Sequence, residues 1–209
     1  MTKITKLDLT KYEKMYTNFD GGHDRKHCTL VRNMAILLAK KYLPDKLELV
    51  YIAATLHDIG ISMGRDNHEI NGEKIIKKDD YLKSNLSSKD FKDLCHAVKE
   101  HRAHTGNPKT ILAKIVSDAD RGGGSSDSSE ALSRAYDYGL KKFPDLLEEE
   151  QIIRSVEHQI KKFSEGSYGR RTYFPETEER LQKVYNPIID AYKKQDWKYL
   201  RSLIKTLVK

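Results

Sequence analysis

Apolar residues recur at every third or fourth position along most of the chain, which is the spacing of one face of an α-helix. No stretch alternates apolar and polar residues over the length of a strand. The 5 prolines and 12 glycines stand mainly at breaks between the periodic stretches. The sequence therefore predicts an all-α protein, a compact single-domain helical bundle.

The apolar spacing and the turn residues also predict where the helices lie. A short leading helix and a turn at Gly21-Gly22 precede the first strong helix. The glycine-rich segment 122–126 is interpreted as a flexible break, either a lid or a linker. The later helices, beyond that break, carry apolar stripes without candidate ligands. The predicted helices cover about residues 24–42, 45–58, 67–76, 87–104, 112–120, 131–140, 146–163, 178–192 and 197–208.

Composition limits the class of protein. A chain of 209 residues with 38% hydrophobic residues can build one well-packed core, so one domain over residues 1–209 is expected. The sequence contains no apolar run long enough for a membrane span and no signal peptide at its start, which favours a cytoplasmic protein without a membrane partner. Cys28 and Cys95 are isolated and are expected to be reduced, packed thiols.

The charge favours anionic ligands without indicating a nucleic-acid surface. The net charge of +7 is spread over many lysines and forms no polybasic block. We expect a small phosphorylated substrate as the partner, and we regard nucleic acid as disfavoured because the sequence contains no recognised nucleic-acid motif. A homo-oligomer is compatible with the sequence.

Histidines and aspartates fall on the apolar faces of several consecutive predicted helices. A buried imidazole or carboxylate without a partner costs kilocalories, and a shared cation removes that cost. The joint occurrence of such residues therefore predicts a metal site in the core. The inward residues are His27, His57, Asp58, His68, His101 and Asp120.

The order of these residues resembles the HD-domain metal-dependent phosphohydrolases. The matching segments are His23–Val31, Ala54–Gly60, the pattern His68-x-x-x-Gly72, and Ile115–Arg121. Together they give the ordered His, His-Asp, Asp signature of that family. The resemblance implies a metal-binding core over residues 21–125, with C-terminal helices over residues 126–209 that complete the bundle.

The resemblance implies that His27, His57, Asp58 and Asp120 are metal ligands. His27 is preferred over His23 because Val31 follows it in the family's His-x-x-x-Val pattern, and His23 is then a cap or an outer group. Asp120 is preferred over Asp118 because the family's Ala-Asp pair aligns there. Asp118 is expected beside the ligands.

The resemblance also implies residues for a second metal, for catalysis and for the substrate. His68, His101 and His104 match the extra histidines that bind a second metal or the substrate phosphate in some members. The family's nucleotidases carry an acid where this chain has Ile61-Ser62-Met63, which leaves metal-bound hydroxide, Asp66 or Glu69 as the general base. Arg121 at the mouth of the site, Arg25 and Lys99 are expected to bind the phosphate.

Two histidines and two aspartates suit a divalent transition metal, one of Mn, Fe, Co, Ni or Zn, better than Mg. We expect one or two ions and the hydrolysis of a phosphomonoester or phosphodiester of a small molecule, foremost a nucleotide, by a metal-activated water. The alternatives are a diiron oxygenase of the same fold and a non-catalytic sensor of metal or nucleotide. The basic aromatic loop at residues 164–175 is interpreted as a solvated loop.

Overall fold

The computed structural model describes residues 4–19 and 22–205. Of the predicted elements, Gly21 of the turn and the end of the last helix near Val208 lie outside these residues. Every regular element among the described residues is helical, which confirms the all-α prediction. The chain divides into two compact units, Met1–Gly123 and Gly124–Lys209. The arrangement of both units in one bundle stays a prediction.

The first unit consists of seven α-helices and three short 3-10 segments among its described residues. Helix α2 (Arg25–Tyr42) packs against α3 (Leu47–Leu56) and α7 (Ile111–Gly123), and α6 (Ser88–Lys99) packs against α3, α4 (His68–Lys77) and α7. The starts of α2 and α6 are fixed by side chains, because Asp24 accepts from the His27 amide and Ser87 from the Asp90 amide. The helices are α1 Thr10–Met15, α2 Arg25–Tyr42, α3 Leu47–Leu56, α4 His68–Lys77, α5 Asp80–Asn85, α6 Ser88–Lys99 and α7 Ile111–Gly123, with 3-10 segments at Tyr16–Asn18, Pro44–Lys46 and Ile59–Met63.

Helix α3 lies at the centre of this unit. The sequence predicted a helix that runs to Asp58, whereas α3 ends at Leu56 and a 3-10 segment follows. All residues from Leu49 to Leu56 except Tyr51 are buried, so α3 is enclosed on nearly every side. Its last residues therefore lead the chain directly into the core.

Two predicted boundaries around α6 and α7 are wrong. Helix α6 ends at Lys99 rather than near Gly106, and His101 lies in the loop that follows. Helix α7 continues through Gly122 and Gly123, so these two glycines are helical and buried rather than part of a flexible break. A Cβ on Gly123 would lie 2.9 Å from the Leu30 carbonyl oxygen, which shows how closely α7 crosses α2.

The second unit is built around its own apolar core. Leu132, Val156, Leu181 and Ile188 are buried there. The rings of Phe163 and Tyr185 stack with centroids 3.6 Å apart. The helices are α8 Ser128–Lys142, α9 Glu148–Phe163, α10 Pro175–Lys193 and α11 Trp197–Leu203, with a 3-10 segment at Tyr168–Arg170.

The basic aromatic loop is tied to the second unit. Arg170 Nη2 donates to Glu178 Oε1 of α10 at 2.7 Å, while Tyr173 is 42% exposed. A role for this loop in binding stays untested. Among the described residues, no helix combines the length and the apolar character that a membrane span requires.

Candidate metal centre

Five separate segments of the first unit deliver the predicted ligands to one place. His27 lies in the first turn of α2, and His57 with Asp58 follows the end of α3 directly. His68 begins α4, and His101 lies just beyond the end of α6. Asp120 lies in the last half of α7 and is partly exposed.

The first group of donors surrounds Oδ2 of Asp58. His57 Nε2 lies 3.0 Å and His27 Nε2 3.5 Å from this oxygen. The two Nε2 atoms are 3.3 Å apart. Asp120 Oδ1 lies 3.2 Å from His27 Nε2 and 3.9 Å from His57 Nε2. The four metal ligands implied by the sequence resemblance are therefore neighbours in the structure.

A second group of donors surrounds Oδ1, the other oxygen of Asp58. His68 Nε2 lies 3.3 Å and His101 Nε2 3.5 Å from it. These two nitrogens are again 3.3 Å apart. His27, His57 and Asp58 have the separations of donors that could hold an ion, as do Asp58, His68 and His101, while Asp120 lies at the edge of the first group. One carboxylate therefore stands between two pairs of imidazoles.

Backbone carbonyls fix the orientation of three of the four rings. The Nδ1 atom of His57 lies 2.8 Å from the Ala54 carbonyl oxygen. His68 and His101 make the same contact with the carbonyl three residues earlier, at 2.9 and 2.7 Å. Since a carbonyl only accepts, each Nδ1 carries the proton, and the Nε2 of a neutral ring presents a lone pair. When the three rings are neutral, three lone pairs are thus available beside Asp58.

This donor set fits a divalent cation. His57, Asp58 and His101 are at most 1% exposed, so bulk water does not solvate them. Within the described part of the chain, Oδ2 of Asp58 is buried without a hydrogen-bond partner. Such an atom is costly unless a cation satisfies it. Imidazole nitrogens together with carboxylate oxygens are typical ligands of Mn, Fe, Co, Ni and Zn.

The pKa shifts of these groups have the same cause, the attraction between the carboxylates and positive charge. Burial alone would lower the pKa of His57, but the charge of Asp58 outweighs it and raises this pKa to about 9. For Asp58, burial would raise the pKa, yet the positive charges of His57 and His23 hold it well below its usual value. Burial would also raise the pKa of Asp120, but the contact with His27 holds this pKa below its ordinary value. The centre therefore stabilises cations in its interior.

Two glycines bring the two groups of donors together. A Cβ on Gly60 would lie 1.9 Å from the His68 carbonyl oxygen and 2.4 Å from the Gly72 amide nitrogen. A Cβ on Gly72 would meet Val98 at 2.9 Å. Only residues without a side chain permit this approach of α4 to the segment after Asp58. The His68-x-x-x-Gly72 spacing thus has a packing reason.

Other predicted site residues are placed differently. We expected Arg121 at the mouth of the site, but it is 6% exposed and its Nη2 donates to the buried Asp118 at 2.7 Å. Among the described residues, no group of close potential metal donors includes His104, Asp66 or Asp118, and the first two are exposed. Their proposed roles, like that of the exposed Lys99, stay predictions.

A polar cavity lies between the N-terminal segment and the first turns of α2 and includes Arg25, but none of the candidate ligands lines it. Its volume is about 260 Å³. Arg32 in its wall contacts Glu13 and donates to the Tyr51 hydroxyl at 2.9 Å. The lining residues are Glu13, Tyr16, Arg25, Cys28, Thr29 and Arg32.

The structure adds contacts around the centre that the sequence did not indicate. The ring of His23 lies 5.8 Å from that of His27 and 6.1 Å from that of His68, measured between centroids. Glu69 is 5% exposed and lies 3.4 Å from Arg102 Nη1. Tyr16 contacts the backbone of Asp58. No local pattern signals the contacts of His23 with His68, of Glu69 with Arg102 or of Tyr16 with Asp58, because each joins residues far apart in the chain.

Comparison with known proteins places this centre in a family. The sequence profile described as HD domain matches residues 25–121, which contain both groups of donors. Residues 25–121 therefore form an HD domain. A crystal structure of a predicted HD superfamily hydrolase from an uncultured Thermotogales bacterium is similar in fold, with a TM-score of 0.58 and 17% sequence identity. The match covers 91% of this chain and 90% of that one. A search of curated proteins found no match.

Proposed function

We propose that the protein is a metal-dependent hydrolase that cleaves a phosphoester bond of a small molecule. One observation carries the proposal: the two oxygens of Asp58 face two different pairs of imidazole nitrogens. This arrangement offers ligands for two adjacent cations that share one carboxylate. Paired divalent ions are a recurrent device of enzymes that hydrolyse phosphoesters.

The ligands divide between the two positions. His27, His57 and Asp120 would hold one ion and His68 with His101 the other, while Asp58 would contact both. When bound, such ions lower the pKa of water toward neutrality and polarise a phosphoryl oxygen. The protein contributes orientation, because the carbonyl contacts of His57, His68 and His101 keep their Nε2 atoms directed at the centre.

Residues beside the centre are suited to handle the substrate. Arg102 has a side chain that is 38% exposed and is held beside Glu69, next to His68. A guanidinium in this position can contact a phosphate oxygen. Half-buried His23, next to the rings of both groups, can give a proton to the leaving oxygen. Arg25 and Lys99 remain further candidates for the phosphate.

Nucleotides are the first substrate class that we propose. The net charge of +7 favours a polyanionic ligand. The Thermotogales neighbour is described as a predicted hydrolase, which agrees with the reaction class but names no substrate.

The test is purification without chelator, metal analysis, and a screen for phosphate release from nucleotides and generic phosphoesters. We expect a transition metal at one to two equivalents per chain and release of phosphate from at least one nucleotide class. Metal binding with tight nucleotide binding but no turnover would favour a sensor instead. A protein that retains no metal under these conditions contradicts the proposal.

A diiron oxygenase is the second candidate. The same observation favours it, because a carboxylate between two pairs of imidazoles also suits two irons. Oxygen consumption by the iron-loaded protein, measured beside phosphate release on the same compounds, separates the two. Oxygen uptake coupled to substrate loss without phosphate release would support the oxygenase.

A further inference from the structure

Tyr16 is a buried residue of the segment that precedes the HD domain. It is 1% exposed. Its hydroxyl donates to the Thr55 carbonyl oxygen at 2.8 Å and accepts a hydrogen bond from the Asp58 amide at 3.3 Å. The hydroxyl oxygen of Tyr16 thus connects the last turn of α3 to the backbone of Asp58, the residue that both groups of donors share.

The two backbone groups that Tyr16 satisfies lie where helix geometry leaves them without partners. Helix α3 ends at Leu56, so the Thr55 carbonyl belongs to the last turn, whose acceptors have no helical donor. The Asp58 amide lies just beyond that end. Both are buried, and a buried polar group without a partner is costly. The hydroxyl removes this cost only while the turn that carries His57 and Asp58 keeps its present shape.

We propose that Tyr16 is a positioning residue of the metal centre. Its hydroxyl holds the backbone of Asp58 in the orientation that directs one carboxylate oxygen at each pair of imidazoles. This inference rests on the metal site of the proposed function. It extends the centre beyond residues 25–121, to a side chain from the N-terminal segment.

Tyr12 provides a matched control from the same segment. It is 2% exposed, and its hydroxyl donates to Asp79 Oδ2 at 2.7 Å, at the start of α5. The substitution Tyr12→Phe therefore also removes one hydrogen bond of a buried tyrosine in this segment. It leaves the turn at Asp58 untouched.

The experiment is a Co²⁺ titration of wild type, Tyr16→Phe and Tyr12→Phe against a competing chelator, with Tm values of the metal-free proteins measured in parallel. We expect Tyr16→Phe to weaken Co²⁺ binding by roughly 10–100-fold, as loss of a group that orients a ligand does. Tyr12→Phe should lower Tm to a similar degree and change the affinity by less than about 2-fold. If Tyr16→Phe binds Co²⁺ as tightly as wild type, or if both variants lose affinity by the same factor, the positioning role is overturned but the proposed function is not. A wild type that binds no Co²⁺ would overturn the proposed function and, with it, this inference.

Amide hydrogen exchange in the wild type tests the contact without any variant. The Asp58 amide should exchange as slowly as the amides inside α3, because its proton is held by Tyr16. Rapid exchange of this amide in the folded, metal-free protein would overturn the proposal even if Tyr16→Phe does not fold.

Discussion

The Nε2 atoms of His68 and His101 lie 3.3 Å apart, and each presents a lone pair when its ring is neutral. The reason is that both Nδ1 protons are committed to backbone carbonyls, of Arg65 and of Val98. Two lone pairs at this distance repel each other unless a positive charge lies nearby. A metal ion or a proton can supply that charge, so metal and protons compete for the centre.

Removing one ligand from a single group should lower the metal content by one equivalent. We expect His101→Ala to lose the ion of the His68 group and to keep the other, because His27, His57 and Asp120 remain close together. His27→Ala should instead lose the ion of the first group and keep the ion of the His68 group. The measurement is the ratio of metal to protein after dialysis. A variant that binds as much metal as wild type would contradict the division into two groups.

Replacing the shared carboxylate should empty both positions. Asp58→Ala removes an oxygen from each group, so we expect it to abolish metal retention and turnover. The loss should exceed the roughly 10–100-fold typical of residues that only orient ligands. Helical content, measured by circular dichroism, should stay nearly intact. Asp80→Asn is the control, because the Asp80 side chain is 92% exposed. Activity retained by Asp58→Ala would refute the proposed mechanism.

The stability of the metal-free protein should depend on pH in a defined direction. Because the pKa of His57 is raised from 6.5 to about 9, its contribution is complete below pH 6.5 and is lost as the pH rises through about 9. The pKa values of Asp58 and Asp120 are lowered, so these two carboxylates stabilise the fold above their ordinary pKa of 3.8. This stabilisation is lost as the pH falls through their folded-state pKa values. Urea midpoints measured with chelator should therefore fall between pH 6.5 and 9.

Metal affinity should change with pH in the opposite direction. His57 must lose its Nε2 proton before it binds an ion, so the affinity for Co²⁺ should rise from pH 6.5 to 9. For the metal-free stability described above, the urea midpoint of His57→Gln should fall less between pH 6.5 and 9 than that of wild type. An unchanged pH dependence in that variant would show that another group is responsible.

A methyl group on Gly60 should separate the two groups of donors. Its Cβ would overlap the backbone of His68 and Gly72, so α4 must move away. We expect Gly60→Ala to destabilise the fold by about 1–3 kcal/mol and to lose the metal of the His68 group first. The control is Gly139→Ala in α8, where the added Cβ meets only the side-chain ends of Gln151 and Arg154. Unfolding midpoints and metal content distinguish the two variants.

The helices could be predicted from periodic patterns, and the set of ligands from its resemblance to a known family. The stripe from His27 through Val31 and Leu38 is buried as expected, which directs His27 inward. The pair His57 and Asp58 could be placed in the core for the same reason. Such patterns give the face of a helix on which a residue lies, and they worked where a helix has a single buried face.

Features that depend on contacts across the chain could not be predicted in the same way. The end of α6 at Lys99 is fixed by His101, whose ring takes the Val98 carbonyl that a longer helix would need. The contact of Tyr16 with the Asp58 backbone and the division of Asp58 between two pairs of histidines are tertiary relations. They depend on distances between helices, which the linear order of residues does not specify.

The ligands of the centre are spread over nearly the whole HD domain, from α2 to α7. Two ions bound by these ligands would together connect five parts of the chain, so their binding energy would add to the energy of folding. Cells short of the native metal would then hold a larger fraction of chains in states that proteases can cut. The lifetime of the protein in the cell should accordingly follow the supply of that metal.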